Sequence, residues 1–436
     1  MSSGPSPVLP GTPTPSPRDP YSAFRHASYR YFFFGRLLFM LGSQMQTAAV
    51  GWLLYERFGT TMALAYVGLV QIVPIFCFVL PSGHLADRLD RRRIVVAGQV
   101  VFFLCSLSLG LIALEKGPAQ WIYPVLFFLA TARVFSMPAM GALLSTVIPR
   151  AHLGNATTWN SSIIELSGLV GPALAGGLIA LTRSATPVFF VAMTCSLCTL
   201  VLISLVKIER QVPVAAVSES RAAGEGAKPT TWRDLLGGVS FLLRNRILLA
   251  AASLDLFATL FGGVTALLPV VAKDILHVGP EGFGLLRAAP SVGAVAMALA
   301  TAHLPPWRRS GRVLFGAFVG FGLAVIVFGI SKSFWLSFAM LVLTGLFDNL
   351  NVVIRQTLIQ YITPDPMRGR VTSINFLFIG CSNELGAFES GVAARYLGTV
   401  PSIVLGGVGT LVVVAAVMRL SPDLRRLGLL HEVKPI

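Results

Sequence analysis

The sequence predicts an all-α membrane protein. Hydrophobic residues make up 54% of the 436-residue chain and charged residues only 12%, and the mean hydropathy is +0.74. Soluble domains are roughly a quarter charged. A helix needs about 20 mostly apolar residues to cross the hydrocarbon core of a bilayer, and only helices or closed barrels satisfy their backbone groups there. The apolar runs have helical length and no ten-residue alternation, which excludes a barrel.

Twelve apolar runs follow one another along the chain, in two groups of six separated by a polar stretch. The first group covers residues 32–55, 63–85, 94–114, 121–147, 156–181 and 187–206. The second group covers residues 247–271, 282–304, 313–331, 333–358, 371–397 and 401–418. Each run is long enough to span a bilayer, so we expect twelve transmembrane helices.

The two groups of runs repeat the same pattern of glycine and proline. At an offset of 215 residues, Pro149 matches Pro364, Gly154 matches Gly369, Asn160 matches Asn375, Gly171 matches Gly386 and Gly176 matches Gly391; at 216, Gly68 matches Gly284 and Pro74 matches Pro290. Chance is the alternative in a chain with 42 glycines and 27 prolines, but so many matches at nearly one spacing favour a repeat. Six helices per repeat, an even number, makes the two halves run in the same direction.

The segments outside the runs set the expected domain boundaries. The first twenty residues lack the basic start and apolar core of a signal peptide and are rich in Pro and Ser, which predicts a disordered tail. The expected domains are a tail at 1–30, a six-helix bundle at 31–206, a linker at 207–246, a second six-helix bundle at 247–420 and a final tail at 421–436.

The linker changes character along its length. It begins with VPVAAVSESRAAGEGAKPTT, which is small and polar enough to be flexible. Apolar residues then recur at helical spacing at Trp232, Leu235, Leu236, Val239 and Leu243. This pattern predicts an amphipathic helix that lies along the membrane surface.

The basic excess of the chain, a net charge of +15, is explained by membrane topology. Most of the 34 Lys and Arg residues fall in turns on the side that holds both termini. The positive-inside rule then places both termini in the cytoplasm of a multi-pass protein of the plasma (inner) membrane. Contact with anionic lipid headgroups accounts for the charge, so we expect no nucleic-acid partner.

A dense charged turn, GHLADRLDRRR, directly follows the second apolar run. Basic residues alone would satisfy the orientation rule, so Asp87 and Asp90 require another reason. The plainer alternative is a solvated loop, whose individual surface ion pairs are worth only about 0 to 1 kcal/mol.

The charged turn resembles the loop signature G-x-L-A-D-R-x-G-R-K of the major facilitator superfamily, although Asp90 stands where the family has a second glycine. The resemblance implies the fold of that superfamily, with twelve helices in two parallel six-helix pseudo-repeats. It also implies a latch between Asp87 and the start of span 11, where exposed amides favour a carboxylate. The latch residues are Gly83, Asp87, Arg88, Arg91, Arg92, Arg368 and Arg370.

Three further segments, FRHASYRYFFFGRLLFMLGSQMQTAAVGWLLYE, ITPDPMRGRV and GLVGPALAGG, resemble the siderophore-exporter and macrolide-efflux branch of proton-coupled drug exporters. The last approximates the antiporter signature of span 5, with Ala175 where a glycine is usual. Its residues are Gly171, Pro172, Gly176 and Gly177. Close helix packing through small residues is the alternative explanation for these glycines.

Ionisable residues inside the predicted spans mark a candidate pathway, because each costs about 2.5 to 3.5 kcal/mol in insertion experiments. Arg36 and Arg395 lie near the predicted span ends, where snorkelling to the interface explains them. The candidates for proton coupling are Arg133, Glu165, Asp255, Asp348, Arg355, Glu384 and Glu389. A buried carboxylate can hold and release a proton. Structural ion pairs within the bundle are an equally open alternative.

A substrate cavity lined by spans 1, 2, 4, 7, 8 and 10 is implied by the same resemblance. The candidate contacts in these spans are polar groups and two aromatic rings: Gln44, Gln46, Gln71, Phe257, Phe261, Arg287 and Asn351. Gln71 and Arg287 are equivalent under the 216-residue offset, so both halves are expected to present a polar group to one site.

The expected function is secondary transport. No G-x-x-x-x-G-K-[ST] phosphate loop occurs, so ATP is not expected to drive it. CSLC at 195–198 lacks a second ligand pair, so no metal or cofactor is expected. The first hypothesis is a monomer that exports an amphipathic drug or siderophore in exchange for protons. The alternatives are a proton-linked importer and a membrane sensor or scaffold; an enzyme is not expected, since no nucleophile with a base is evident.

Overall fold

A computed structural model describes residues 19–206, 240–303, 307 and 309–428. The first half contains α1 (Ala27–Phe58), α2 (Thr61–Arg88), α3 (Arg91–Leu114), α4 (Ile122–Val147), α5 (Leu153–Thr182) and α6 (Thr186–Leu205). The second half contains α7 (Arg246–Phe261), α8 (Pro280–His303), α9 (Ser310–Ile330), α10 (Phe334–Ile362), α11 (Asp365–Leu397) and α12 (Thr399–Leu420). The described residues contain no strand. The expected all-α fold with twelve long helices is confirmed.

Eleven of the long helices in the described part are apolar enough to cross a membrane by themselves. The exception is α11, which carries Glu384, Glu389 and Arg395 as well as a polar first turn. It packs against α2 and α7. Glu384 and Glu389 are partly buried, whereas Arg395, two residues from the end of the helix, is exposed.

Helix contacts repeat pair by pair in the two halves. In the first half, α1 packs against α5 and α6, α3 packs against α4 and α6, and α2 packs against α4; each of these pairs has its counterpart in the second half. Between the halves, α2 packs against α11 and α5 packs against α8. These two crossings are also equivalent, which confirms two parallel six-helix repeats.

Glycines allow the two crossings between the halves to be close. A Cβ at Gly284 of α8 would lie 2.5 Å from the carbonyl oxygen of Pro172 in α5, and one at Gly391 of α11 would lie 2.7 Å from Cβ of Ala65 in α2. Gly176 and Gly391 are partners in the repeat, so the same small residue forms the same contact twice.

The seventh span is not continuous, although the sequence predicts one helix there. α7 ends at Phe261, and the chain continues through a 3₁₀ turn (Val264–Leu267), a short helical turn (Leu268–Val270) and a π-helical turn (Val271–Ile275). A Cβ at Gly263 would lie 2.7 Å from the carbonyl oxygen of Gly386 in α11. The break therefore occurs where two backbones touch, which apolar periodicity does not reveal.

Two clusters of buried residues form the core within the described part of the chain. We call the face where α1 begins and α12 ends the terminal face, and the opposite one the far face. The larger cluster runs through the first half and into the far-face part of the second half, where it includes Leu268 and Phe283. The smaller cluster, with Leu248, Phe315 and Leu358, occupies only the terminal-face part of the second half. The halves thus share a core at the far face and have separate cores at the terminal face.

The expected disordered tail at 1–30 is wrong for residues 19–30. Ser22–Arg25 form a 3₁₀ turn, and α1 begins at Ala27. The Trp159 indole donates a hydrogen bond to the Pro20 carbonyl oxygen at 2.9 Å, and the amide of Ala23 donates to Oδ1 of Asn155 at 3.3 Å. Aromatic contacts with Trp159 hold this segment against α5. Residues 1–18 and the predicted amphipathic residues Trp232, Leu235, Leu236 and Val239 lie outside the described residues.

Candidate transport site

A cavity of about 490 Å³ lies between the two halves. Its walls come from α1, α2 and α4 of the first half, from α7, α8, α9, α10 and α11 of the second, and from the broken stretch after α7. Seven residues expected from the sequence line it: Gln44, Gln46, Gln71, Arg133, Arg287, Asp348 and Glu384. Spans 9 and 11 also contribute to the walls, which the sequence did not predict.

Four of the lining residues are ionisable. The carboxylate of Glu384 interacts electrostatically with the guanidinium groups of Arg133, from the first half, and Arg287, from the second. Within the described residues, Glu384 nevertheless makes no ion pair shorter than 4.0 Å. Arg133 Nη2 donates to Oγ of Ser43 at 3.3 Å, and Arg287 Nη1 donates to the Thr265 carbonyl oxygen at 3.4 Å. Most guanidinium donors therefore remain available to the cavity.

The charges that line the cavity differ between the two repeats. Arg133 of α4 and Asp348 of α10 occupy positions 215 residues apart, and Gln71 of α2 and Arg287 of α8 occupy positions 216 apart. The cavity therefore has a pseudo-symmetric shape and an asymmetric charge distribution.

Two glutamines of α1 contribute polar groups to the wall. Gln46 is fully buried, and its Oε1 accepts a hydrogen bond from Oγ of Ser106 at 2.6 Å. Its Nε2 has no partner among the described residues. Gln44 lies beside Gly171, where an added Cβ would be 2.7 Å from Cβ of Gln44. The glycine of the antiporter signature thus brings α5 close to a cavity residue.

Asp255 and Arg355, two of the candidates for proton coupling, form a buried ion pair within the second half. Arg355 Nη1 lies 2.5 Å from Oδ2 of Asp255. The side chain of Arg355 is only 3% exposed and that of Asp255 only 7%. Asn351 Nδ2 donates to Oδ1 of Asp255 at 2.7 Å, and Arg355 also donates to Oδ1 of Asn375 at 3.1 Å. None of these residues lines the central cavity. The structural ion pair, left open by the sequence, is what the structure shows, and placing Asn351 in the cavity was wrong.

The two phenylalanines expected in the cavity also lie elsewhere. The rings of Phe257 and Phe261 stack with centroids 6.3 Å apart. Phe261 contacts α12, since a Cβ at Gly409 would lie 3.3 Å from its ring. The backbone of the break after α7, including Gly262 and Gly263, lines the cavity instead. Thr259, which lies between the two phenylalanines in α7, also lines the cavity.

The remaining intramembrane charges lie away from the cavity wall. Glu165 of α5 is half-buried and interacts electrostatically with Asp348. Glu389 of α11 accepts a hydrogen bond from Oγ of Ser390 at 3.4 Å. Arg36 does not snorkel, because α1 begins nine residues before it; the side chain is buried, and Nε and Nη1 have no partner among the described residues.

The antiporter-signature residues lie at the crossing of α5 with its neighbours. Gly171 faces α1, and Pro172 and Gly176 face α8, whereas a Cβ at Gly177 would meet nothing within 4 Å. Three of the four positions therefore contact a neighbouring helix.

Part of the expected latch lies within the described residues. Arg91 Nη1 donates to the Ala142 carbonyl oxygen of α4 at 3.3 Å, and Arg92 Nη2 donates to that of Ser204 in α6. Asp90 caps α3, since its Oδ1 accepts from the amide of Arg92 at 2.9 Å. These contacts hold the first half together. The side chains of the other latch residues, Asp87, Arg88, Arg368 and Arg370, lie outside the described part of the structure, as do the surroundings of Gly83, although the backbone of all five belongs to α2 or α11.

One contact between the halves was not predicted. The hydroxyl of Tyr55, at the far-face end of α1, donates to Oδ2 of Asp274 in the π-helical turn. Lys273 Nζ lies 5.7 Å from the centroid of the Tyr55 ring. No sequence pattern predicts this contact, since Asp274 lies beyond the apolar run that ends at 271.

Twelve helices in two six-helix repeats around a central polar cavity define a transporter of the major facilitator type. The chain belongs to the transmembrane secretion effector family, whose family model matches residues 18–427. It is therefore a multi-pass membrane transporter and not an enzyme.

Curated relatives of the chain are exporters. The enterobactin exporter EntS of Citrobacter koseri is 24% identical over 92% of this chain and 93% of its own length. Macrolide efflux protein A of Streptococcus pyogenes is 20% identical over 91% of this chain and 96% of its own.

Solved structures of transporters share the fold. A bacterial homologue of the human lysosomal transporter Spinster aligns with a TM-score of 0.67 at 14% identity, covering 92% of this chain and 98% of that one. The nucleoside transporter NupG aligns with a TM-score of 0.68 at 12% identity, covering 90% and 98%. At these identities the likeness concerns the fold alone.

Proposed function

We propose that this transporter exports an amphipathic small molecule, a drug or a siderophore, in exchange for protons by alternating access. The names of the two curated relatives support export of such compounds. The cavity supports it as well, because polar groups such as Gln46 and Gln71 and apolar ones such as Leu64 and Phe321 line the same space.

The observation that carries the exchange is the position of Glu384. Its carboxylate lies at the cavity wall on α11, influenced by one arginine from each half and held by neither in a direct pair. A proton on Glu384 removes its attraction to Arg133 and Arg287. A substrate that pairs or hydrogen-bonds with the ionised carboxylate competes with that proton. Exchange requires that the proton and the substrate cannot both bind to the carboxylate of Glu384 at the same time.

Alternating access is supported by the distribution of the core. The halves share buried residues at the far face and have separate cores at the terminal face. Opening the far face requires the first half to separate from Leu268, Phe283 and their neighbours. The glycine crossings of α2 with α11 and of α5 with α8 let the halves rock, since small residues resist sliding least.

The positive-inside rule supports a cytoplasmic terminal face in the inner membrane. In that orientation the core shared by the two halves lies on the side away from the cytoplasm, and a single chain supplies every residue of the site.

Flux measurements in proteoliposomes test the proposal. With an imposed pH gradient, dyes, macrolides and catecholate siderophores are offered separately, and proton movement is recorded with substrate movement. We expect at least one substrate to move against the proton flow in the wild type. In Glu384→Gln its movement should no longer follow the pH gradient. Glu389→Gln is the matched control, because this acid lies five residues away on the same helix and outside the cavity wall.

The outcomes separate the hypotheses. Movement of substrate in the same direction as protons would favour the importer. If no compound moved and no proton flux accompanied its addition, a sensor or scaffold would replace the exporter.

A further inference from the structure

A second pocket, of about 710 Å³, lies at the terminal face of the second half, between the start of α9 and the end of α12. Four arginines from two separate segments line it: Arg309, Arg312, Arg425 and Arg426. The rest of its wall is apolar or small: Phe315, Gly316, Val319, Met418 and Leu427. It is separate from the transport cavity, with which it shares no residue.

The pocket is built by a segment that the sequence assigned to a final tail. Residues Pro422–Arg425 form a short helix after α12. The amides of Ser310 and Gly311 donate hydrogen bonds to the carbonyl oxygens of Gly428 and Leu427, both at 3.3 Å. Leu424 is fully buried, and a Cβ at Gly311 would lie 3.1 Å from its carbonyl carbon. The arginines on both sides of the pocket are therefore held close together by the backbone.

The four guanidinium groups have no acidic partner in the described part of the chain. The ion pairs found there within 4.0 Å join Arg25 with Asp19, Arg93 with Asp90, and Arg355 with Asp255. Asp423, next to two of the pocket arginines, forms none. Like charges held together in one pocket repel one another, so an anion from outside would stabilise this arrangement.

The position of the pocket selects the kind of anion. The arginines lie at the ends of two membrane-spanning helices, at the level of lipid headgroups. Val319 and Met418 lie about two turns and one turn, respectively, farther into the span. Basic pockets between membrane helices suit lipid phosphates. A soluble phosphate would use the arginines but leave the apolar wall unused.

We propose that this pocket binds an anionic phospholipid, with the phosphate on the four arginines and an acyl chain along the apolar wall. The bound lipid joins the final segment to α9 and compensates the charge of both. This site is independent of the proposed transport reaction, and its occupancy does not require a substrate.

Lipid binding to the purified full-length protein in a neutral detergent tests the proposal. Native mass spectrometry with phosphatidylglycerol, phosphatidylcholine and inorganic phosphate compares the three ligands by titration. We expect phosphatidylglycerol to bind and the other two not to bind at the same concentrations. A basic residue near anionic lipid contributes a factor of roughly five in affinity, so Arg312→Gln/Arg425→Gln should bind roughly 25-fold more weakly.

Two further variants keep the result interpretable. Arg419→Gln removes an exposed arginine at the end of α12 that does not line the pocket, and its affinity should stay within about twofold. Arg312→Lys/Arg425→Lys keeps both charges and should retain most of the binding. Equal binding by the double glutamine variant and wild type would overturn the proposal. So would inorganic phosphate that displaced the lipid at equal concentration, because the site would then recognise the free anion.

Discussion

Tyr55 on α1 donates a hydrogen bond to the carboxylate of Asp274, and among the described residues this is the only hydrogen bond that links the two halves. It lies at the far face, where Trp52 and Phe283 also meet with ring centroids 5.4 Å apart. Every other hydrogen bond described stays within one half. The polar link and the shared core thus close the same face of the transporter.

Removing the hydroxyl of Tyr55 should favour opening of the far face. A hydrogen bond to a charged group is worth about 1.5 to 3 kcal/mol, so Tyr55→Phe should raise the population open at the far face roughly tenfold or more. Spin labels at Glu56 and Glu281, both exposed near that face, report the distance between α1 and α8. The measurement uses a background without the five native cysteines.

Tyr123→Phe is the matched control, because the Tyr123 hydroxyl donates to the Ala63 carbonyl oxygen at 3.1 Å within the first half. It should leave the distance distribution unchanged. Identical distributions for Tyr55→Phe and wild type would show that the link does not hold the face closed.

The ion pair of Asp255 and Arg355 should act on stability more than on proton coupling. Removing one member of a buried pair leaves an unpaired buried charge and costs about 3 to 5 kcal/mol. Asp255→Asn should therefore lower the melting temperature in detergent strongly. Asp255→Leu/Arg355→Met, which removes both charges, should lower it much less.

Asp348→Asn serves as the control for that pair, since Asp348 faces the cavity and forms no ion pair within 4.0 Å among the described residues. It should melt close to wild type. A normal melting temperature for Asp255→Asn, together with loss of proton-driven flux, would show that Asp255 acts in proton coupling and not mainly in stability.

The helices and the repeat were predictable because their signals are local. A run such as 187–206 is apolar over its whole length, and the structure places α6 at Thr186–Leu205. Matches such as Gly176 with Gly391 correspond to a helix contact that occurs once in each repeat, and the constant spacing of about 215 residues is sufficient to detect them.

The partners of the intramembrane charges were not predictable, because they depend on how each helix is rotated. Asp255 and Glu384 both lie within predicted spans, yet one forms an ion pair and the other faces the cavity. Phe257 and Phe261, four residues apart on one face of α7, lie away from the cavity, whereas Thr259 on the opposite face lines it. Tyr55 and Asp274 meet only because the broken stretch after α7 ends beside α1.

The latch at the terminal face remains a prediction from the charged turn. Asp87 lies in the last turn of α2, and α2 packs against α11, which begins at Asp365 on the same face. Asp87→Asn should slow transport several-fold, about the effect of losing 1 kcal/mol at a charged contact, while the protein stays folded. Initial rates of substrate efflux from proteoliposomes measure it.

Asp90→Asn controls for the latch, because it removes a charge from the same turn and keeps a residue that caps α3 well. Its transport rate should equal that of wild type. An unchanged rate in Asp87→Asn, or equal slowing by both variants, would argue that the turn acts only as a charged surface.

The crossing of α5 and α8 should tolerate no side chain at its glycines. A Cβ at Gly284 would lie 2.5 Å from the Pro172 carbonyl oxygen and 2.9 Å from Cα of Gly176. Gly284→Val must therefore push the helices apart, at a cost of about 1 to 3 kcal/mol, and it should lower both the melting temperature and the rate of transport. Gly177→Val provides the comparison on the partner helix α5, because an added Cβ there meets nothing within 4 Å. If Gly177→Val were as damaging as Gly284→Val, the signature glycines would be needed for backbone conformation or lipid contact, and close approach of the halves would not explain them.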